Sequence, residues 1–140
     1  MKKLFLTLLL ALGLLGTAAS ADTQKSIFVN VTSSDNVKAP MAVMFATKGL
    51  QRGLKMTIFL NTEGVKLAVK GFNSPTNAVN GHNVHQMLEA FMKKGGEVII
   101  CPMCLEAQGY EENDLIPGVK MSDGDMTFNG ILESDKVISF

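Results

Sequence analysis

This 140-residue chain has no tryptophan, one tyrosine, two histidines and two cysteines, and its 13 basic residues balance 13 acidic ones. Each shortage excludes something. With Tyr110 as the single large polar aromatic, a platform for stacking bases is missing. Without a clustered basic excess, the chain lacks the electrostatic footprint of a nucleic-acid binder. Two cysteines cannot build the multi-bridge framework of a small secreted scaffold. No glycine-rich phosphate fingerprint follows the first β-rich segment, which argues against a dinucleotide enzyme, and no resident cofactor is expected. Internal repeats and low-complexity segments are absent too. What is present is apolar residues, at 46% of the chain, enough to fill a real core.

The first 21 residues read as a secretory signal peptide. Lys2 and Lys3 precede an apolar run from Leu4 to Leu15, interrupted by Thr7 and Gly13, and Ala19-Ser20-Ala21 offers a small-x-small cleavage site. The expectation is cleavage before Asp22 and delivery to the periplasm. An uncleaved anchor is the alternative, but the run is shorter than the roughly 20 residues of a membrane span. No cysteine lies near the cleavage point to carry a lipid, so no stable membrane anchor is expected. Losing Lys2 and Lys3 leaves 11 basic against 13 acidic residues, a net charge of −2. Residues 22–140 are one domain of ordinary size.

Along that domain, β-rich segments alternate with helical patterns. Ser26 to Thr32 is nearly continuous in apolar residues, as in a strand buried on both faces. The N-cap cluster Ser33-Ser34-Asp35-Asn36 then introduces a helix through Met41, Met44, Phe45 and Leu50, closed by Arg52 and Gly53. Met56 to Leu60 is the second strand, followed by a turn at Asn61–Gly64, a short helix over Val65–Val69 and a loop from Gly71 to Gly81. From Asn83, residues Val84, Met87, Leu88, Phe91 and Met92 recur at helical spacing. Glu97 to Ile100 is the third strand, and Leu115 to Val119 turns into a short fourth. Ser122 to Asp125 caps a last helix carrying Met126, Phe128, Ile131 and Leu132, and Val137 to Phe140 is a terminal strand. This alternation predicts an α/β fold with a mostly parallel sheet. In such sheets the functional crevice lies at the carboxyl ends of strands.

The third strand delivers Cys101-Pro102-Met103-Cys104 to that edge. Two cysteines separated by two residues close too small a loop to serve as a staple, so the pair is reactive or ligating. Pro102 suits the first turn of a helix. A cysteine at a helix start is expected to lose proton affinity to the dipole, which makes Cys101 the attacking sulfur and Cys104 the resolving one. The bland alternative is two idle thiols or a resting disulfide. His82 and His85 could complete a Cys2His2 set for zinc or copper, if their loop bends over the third strand's end. Otherwise they are two solvated histidines. Most methionines fit core stripes; Met103, between the cysteines, stands apart. Glu106 is a candidate proton acceptor or simply an exposed helix residue, and Glu111-Glu112-Asn113-Asp114 reads as a solvated loop.

Taken together, the opening strand with its Met/Ala-rich helix, Glu97-Val98-Ile99-Ile100-Cys101-Pro102-Met103-Cys104 with Gly109 beyond it, and the ending Leu115-Ile116-Pro117-Gly118-Val119 … Val137-Ile138-Ser139-Phe140 resemble the DsrE/DsrF-like family of small sulfur-relay proteins. The resemblance spans residues 26–140. It implies a three-layer α/β/α sandwich around a five-stranded, mostly parallel sheet of flavodoxin-like topology, and a homo-oligomer, trimeric or hexameric. It also implies a cysteine at a central strand's end, Cys101 here, that accepts sulfur as a persulfide from a donor protein or small thiol and passes it on. Gln108 stands where many relatives carry a basic residue, and the reading as an exported protein departs from cytoplasmic relatives. A persulfide on Cys101 beside Cys104 would collapse to a disulfide, so sulfur carriage, thiol–disulfide redox chemistry and soft-metal binding are the three functions the pair admits.

Overall fold

A computed structural model describes residues 24–140. Residues 1–21, read above as a signal peptide, lie outside the described residues. Five strands form one sheet: β1 (Ser26–Val31), β2 (Lys55–Leu60), β3 (Glu97–Ile100), β4 (Lys120–Met121) and β5 (Lys136–Ser139). Every pairing is parallel, in the order β4-β3-β2-β1-β5. The sheet is doubly wound. The chain reverses between β1 and β5, whereas in the flavodoxin order 2-1-3-4-5 it reverses between β1 and β3.

Burial on both faces explains why these strands read as apolar runs rather than alternating ones. Val29, Val31, Met56, Ile58, Leu60, Val98 and Ile100 point into the larger core. There they meet α1 (Lys38–Gln51), the 3-10 segment Thr62–Ala68, α2 (Val84–Lys93) and Leu105 of α3 (Pro102–Ala107). The opposite pleat carries Phe28, Phe59 and Ile99, with the Phe28 and Phe59 rings 5.9 Å apart. Among the described residues, α4 (Gly124–Leu132) is the helix that covers this side. Gly130 brings it close, since a Cβ there would stand 2.8 Å from a Phe28 ring carbon. The third layer is therefore thin. No residue of α4 is buried, and its apolar side chains Phe128 and Leu132 are 67% and 78% exposed.

Local signals account for most boundaries. The Asp35 carboxylate accepts from the N–H groups of Val37 and Lys38, so α1 starts later than the Ser33–Asn36 cluster alone would place it. Asn83 and Gln86 form a reciprocal capping box at α2. Asp123 caps α4 by accepting from Met126 N–H at 2.6 Å. The turns after β1 and β2 meet at one edge, as the alternation requires. Asn61 and Gly64 N–H groups donate to the Val31 and Thr32 carbonyls, at 3.1 and 3.2 Å. The expected solvated loop at Glu111–Asp114 is instead a 3-10 turn over Glu112–Asp114. It is held because Asp114's carboxylate accepts from Glu111 N–H and Lys70 bonds the turn's carbonyls. Among the described residues no helix is long and apolar enough to cross a membrane.

Candidate functional site around Cys101 and Cys104

The sheet itself positions the first thiol. Cys101 N–H donates to the Leu60 carbonyl at 2.9 Å, extending the β2–β3 ladder by one residue beyond the buried Ile100. Its backbone is still extended (φ −71°, ψ 114°), yet its carbonyl accepts the first helical bond of α3, from Leu105 N–H at 3.0 Å. Cys101 is thus both the strand's end and the helix's N-cap. Pro102 follows at the first helical turn as expected. Leu105, almost fully buried, pins α3 to the core, and Gly109 (φ +80°) ends it in the left-handed region that glycine tolerates. Cys104 therefore falls one turn from Cys101. Both side chains are half-buried, and no bond joins them.

Cys101 opens into a depression of about 410 Å³. Phe59, Pro102, Met103 and Phe128 supply its apolar walls, and Ser122, Asp123, Gly124 and Thr127 the remainder. The wall opposite α3 is held by the β4–α4 junction. Ser122 N–H donates to the Ile100 carbonyl at 2.9 Å, and the Ser122 and Thr127 hydroxyls are hydrogen-bonded to each other. Met103 is 79% exposed, which sets it apart from the core methionines. Sequence reasoning missed Phe59, Ser122, Thr127 and Phe128. The available signal was the order of the elements: the loop after a short fourth strand beside β3 must start its helix next to the third strand's end.

One electrostatic expectation is reversed. Burial pushes the Cys101 thiol above its ordinary value, and the neighbouring Cys104 side chain adds to that shift. Backbone N–H groups of Cys104 and Met103 pull it only part of the way back. A helix of six residues has a weak terminal field, so desolvation wins over the dipole that the sequence led us to favour.

The histidines do not join this site in a metal set. Among the described residues no group of three or more His, Cys, Asp or Glu side chains is placed to hold an ion. His82 lines a separate groove between α1 and α2, with Met44, Lys48 and Gln86. His85 is partly buried on α2, its Nε2 lacks a hydrogen-bond partner, and burial lowers its proton affinity despite Glu89 nearby. Glu106 stands away from the thiol depression. It lines a second one on the far side of α3, together with Tyr110, Glu111, Glu112 and Asp114. Gln108 donates its amide to the Glu63 carboxylate and so ties α3 to the 3-10 segment.

The comparisons with known proteins agree with this architecture. The model of the DsrE/DsrF-like family matches residues 25–140. The protein MK0008 of Methanopyrus kandleri is 37% identical over 103 residues, which are 74% of this chain and 82% of that one. The YchN protein of Escherichia coli K12 is 24% identical over 107 residues, 76% of this chain and 88% of YchN. The crystal structure of YchN superposes with a TM-score of 0.68 at 23% identity, covering 84% of this chain and 99% of YchN. MTH1491 of Methanobacterium thermoautotrophicum superposes with a TM-score of 0.69 at 11% identity, over 84% of this chain and all of its own. These two structures share the fold.

Proposed function

The chain belongs to the DsrE/DsrF-like family, and on that premise we propose that it is a sulfur carrier whose Cys101 accepts sulfur as a persulfide and whose Cys104 resolves it. The observation that carries this reading is the placement of Cys101. It is a half-buried thiol at the carboxyl end of a central strand, opening into a depression, with a second thiol one helical turn away.

The chemistry balances without an outside oxidant. The Cys101 thiolate attacks the outer sulfur of a hydropersulfide R–S–SH, the S–S bond of the donor breaks, and R–S⁻ leaves and takes up the proton that Cys101 gave up. Cys101–S–SH results. Cys104 then attacks the inner sulfur and expels sulfide, so the carried sulfur is reduced while the two thiols become a disulfide. A dithiol partner resets the pair by exchange. An acceptor that reaches Cys101–S–SH before Cys104 does receives the sulfur instead. A raised thiol pKa lowers the thiolate population at neutral pH but leaves a more nucleophilic thiolate.

In this reading the first 21 residues direct export, and the carrier works in the periplasm with a donor or acceptor protein or a small thiol. The exposed apolar residues Leu132 and Val137, which do not line the depression, suit self-association into a trimer or hexamer. The decisive test is transfer of labelled sulfur from a hydropersulfide donor. Label held by Cys104→Ser but not by Cys101→Ser supports the carrier, and label retained by Cys101→Ser sinks it. Thiol–disulfide redox exchange is the second reading, favoured by the adjacency of the two unbridged thiols. A reduction potential below about −300 mV would mark an inert disulfide and remove it.

A further inference from the structure

The wall of the Cys101 depression bears on which sulfur donors it admits. Four of the eight residues that line it with Cys101 are apolar: Phe59, Pro102, Met103 and Phe128. No lysine, arginine or histidine lines it. Its single charged residue is Asp123, whose carboxylate caps α4 by accepting from Met126 N–H. The polar hydroxyls are occupied with each other and with the backbone. Ser122 Oγ donates to the Asp123 carbonyl at 2.9 Å and is paired with Thr127. The surroundings repeat the sign of the charge. Asp125 sits in the first turn of α4, and the neighbouring depression beyond α3 carries Glu106, Glu111, Glu112 and Asp114. An anionic group seated in the depression stands beside the Asp123 carboxylate and finds no cationic side chain to replace its water.

We infer that this site selects sulfane-sulfur donors by the group that carries the sulfur, taking small hydropersulfides with an apolar aromatic or alkyl group next to the sulfur over donors that place an anionic group there, such as thiosulfate. The inference rests on the sulfur-carrier reading and names its substrate class. The apolar group lies against Phe59, Met103 and Phe128 while its outer sulfur faces Cys101 Sγ. The volume, about 410 Å³, is that of a small-molecule pocket. Transfer follows the balanced step already given. Cys101 Sγ gains the outer sulfur, the donor's S–S bond breaks, and the donor leaves as its thiol.

The test compares three donors on the full chain with Cys104→Ser, so that the persulfide persists: benzyl hydropersulfide, the same compound carrying a para-carboxylate, and thiosulfate. Loading of Cys101 is followed by intact mass after alkylation. The first two share a leaving group and differ by one charge remote from the sulfur. The expected result is that the benzyl donor loads at least about tenfold faster than the carboxylate donor or thiosulfate, a gap that narrows as salt is raised. Phe128→Lys, at an exposed position that the fold does not need, is expected to narrow the gap by speeding the carboxylate donor and thiosulfate. Phe128→Ala is expected to slow the benzyl donor alone. Equal or faster loading from the anionic donors overturns this inference and leaves the carrier reading standing. Loading from none of the three overturns both.

Discussion

Replacing Gly64 with alanine tests how the site edge is built. Gly64 lies in the 3-10 segment after β2, directly under the end of β1. A Cβ at this position would stand 3.0 Å from the Val31 carbonyl carbon and closer still to its oxygen. Carbon atoms normally touch at about 3.5–4.0 Å. The obstacle is backbone of a central strand, so no side chain can swing aside. Overpacking of this kind costs about 1–3 kcal/mol, and a backbone clash belongs at the upper end. Alanine returns about 0.4–1 kcal/mol by restricting the unfolded chain. The net is a loss of about 2 kcal/mol, or a fall of about 8 °C in Tm for a domain of this size. The Gly64 N–H bonds to the Thr32 and Asn61 carbonyls should weaken with it, because the segment must back away from β1. Thermal unfolding by circular dichroism provides the assay, with Gly124→Ala as the control. No atom lies within 4 Å of a Cβ built at Gly124, so that substitution should be neutral or slightly stabilising. If Gly64→Ala melts within a degree or two of wild type, the close approach of the two turns is wrong, and with it the account of how the site edge is fixed.

Three further outcomes follow from named contacts. Because burial raises the Cys101 thiol, its alkylation rate in Cys104→Ser should climb with pH through a value above the ordinary thiol range. Cys104→Ala should move that profile toward lower pH, since the Cys104 side chain is the second cause of the shift; an alkylation profile centred below the ordinary range would contradict both statements. Phe91, fully buried between α2 and the sheet, should cost about 3–5 kcal/mol when cut to alanine, read as a lower denaturant midpoint. Asp123→Ala removes the cap of α4 and about 1 kcal/mol of local stability, so amides of α4 should exchange about fivefold faster while those of β2 do not change.

Much of this molecule is legible in its sequence, and the gaps have physical causes. The strands stand out because sheets buried on both faces produce continuous apolar runs such as Ser26–Val31 and Glu97–Ile100. Their C-terminal edge could be named because the first strand, the Cys101 pair and the turn at Asn61–Gly64 must share it. α2 is written in its own spacing and in Asn83. α4 misleads: its apolar residues follow a helical period, yet Phe128 and Leu132 face outward, and periodicity carries no information on what a helix packs against. The proton affinity of Cys101 is not legible for a related reason. The helix dipole can be read from a Pro-initiated turn, whereas desolvation depends on walls contributed by Phe59 and Phe128, residues 42 and 27 positions away in the chain. The same distance hid the depression itself. The histidines show the converse, a local spacing of i, i+3 that the tertiary fold does not bring to the cysteines.

The central claim is a division of labour between two thiols, and peptide mapping after exposure to benzyl hydropersulfide tests it most directly. In Cys104→Ser the account predicts one added sulfur atom, located on the peptide bearing Cys101. In the wild-type chain it predicts release of sulfide and a Cys101–Cys104 disulfide in its place. Sulfur found on Cys104 in Cys101→Ser at the wild-type rate, or a stable persulfide on Cys101 of the wild-type chain, would contradict it.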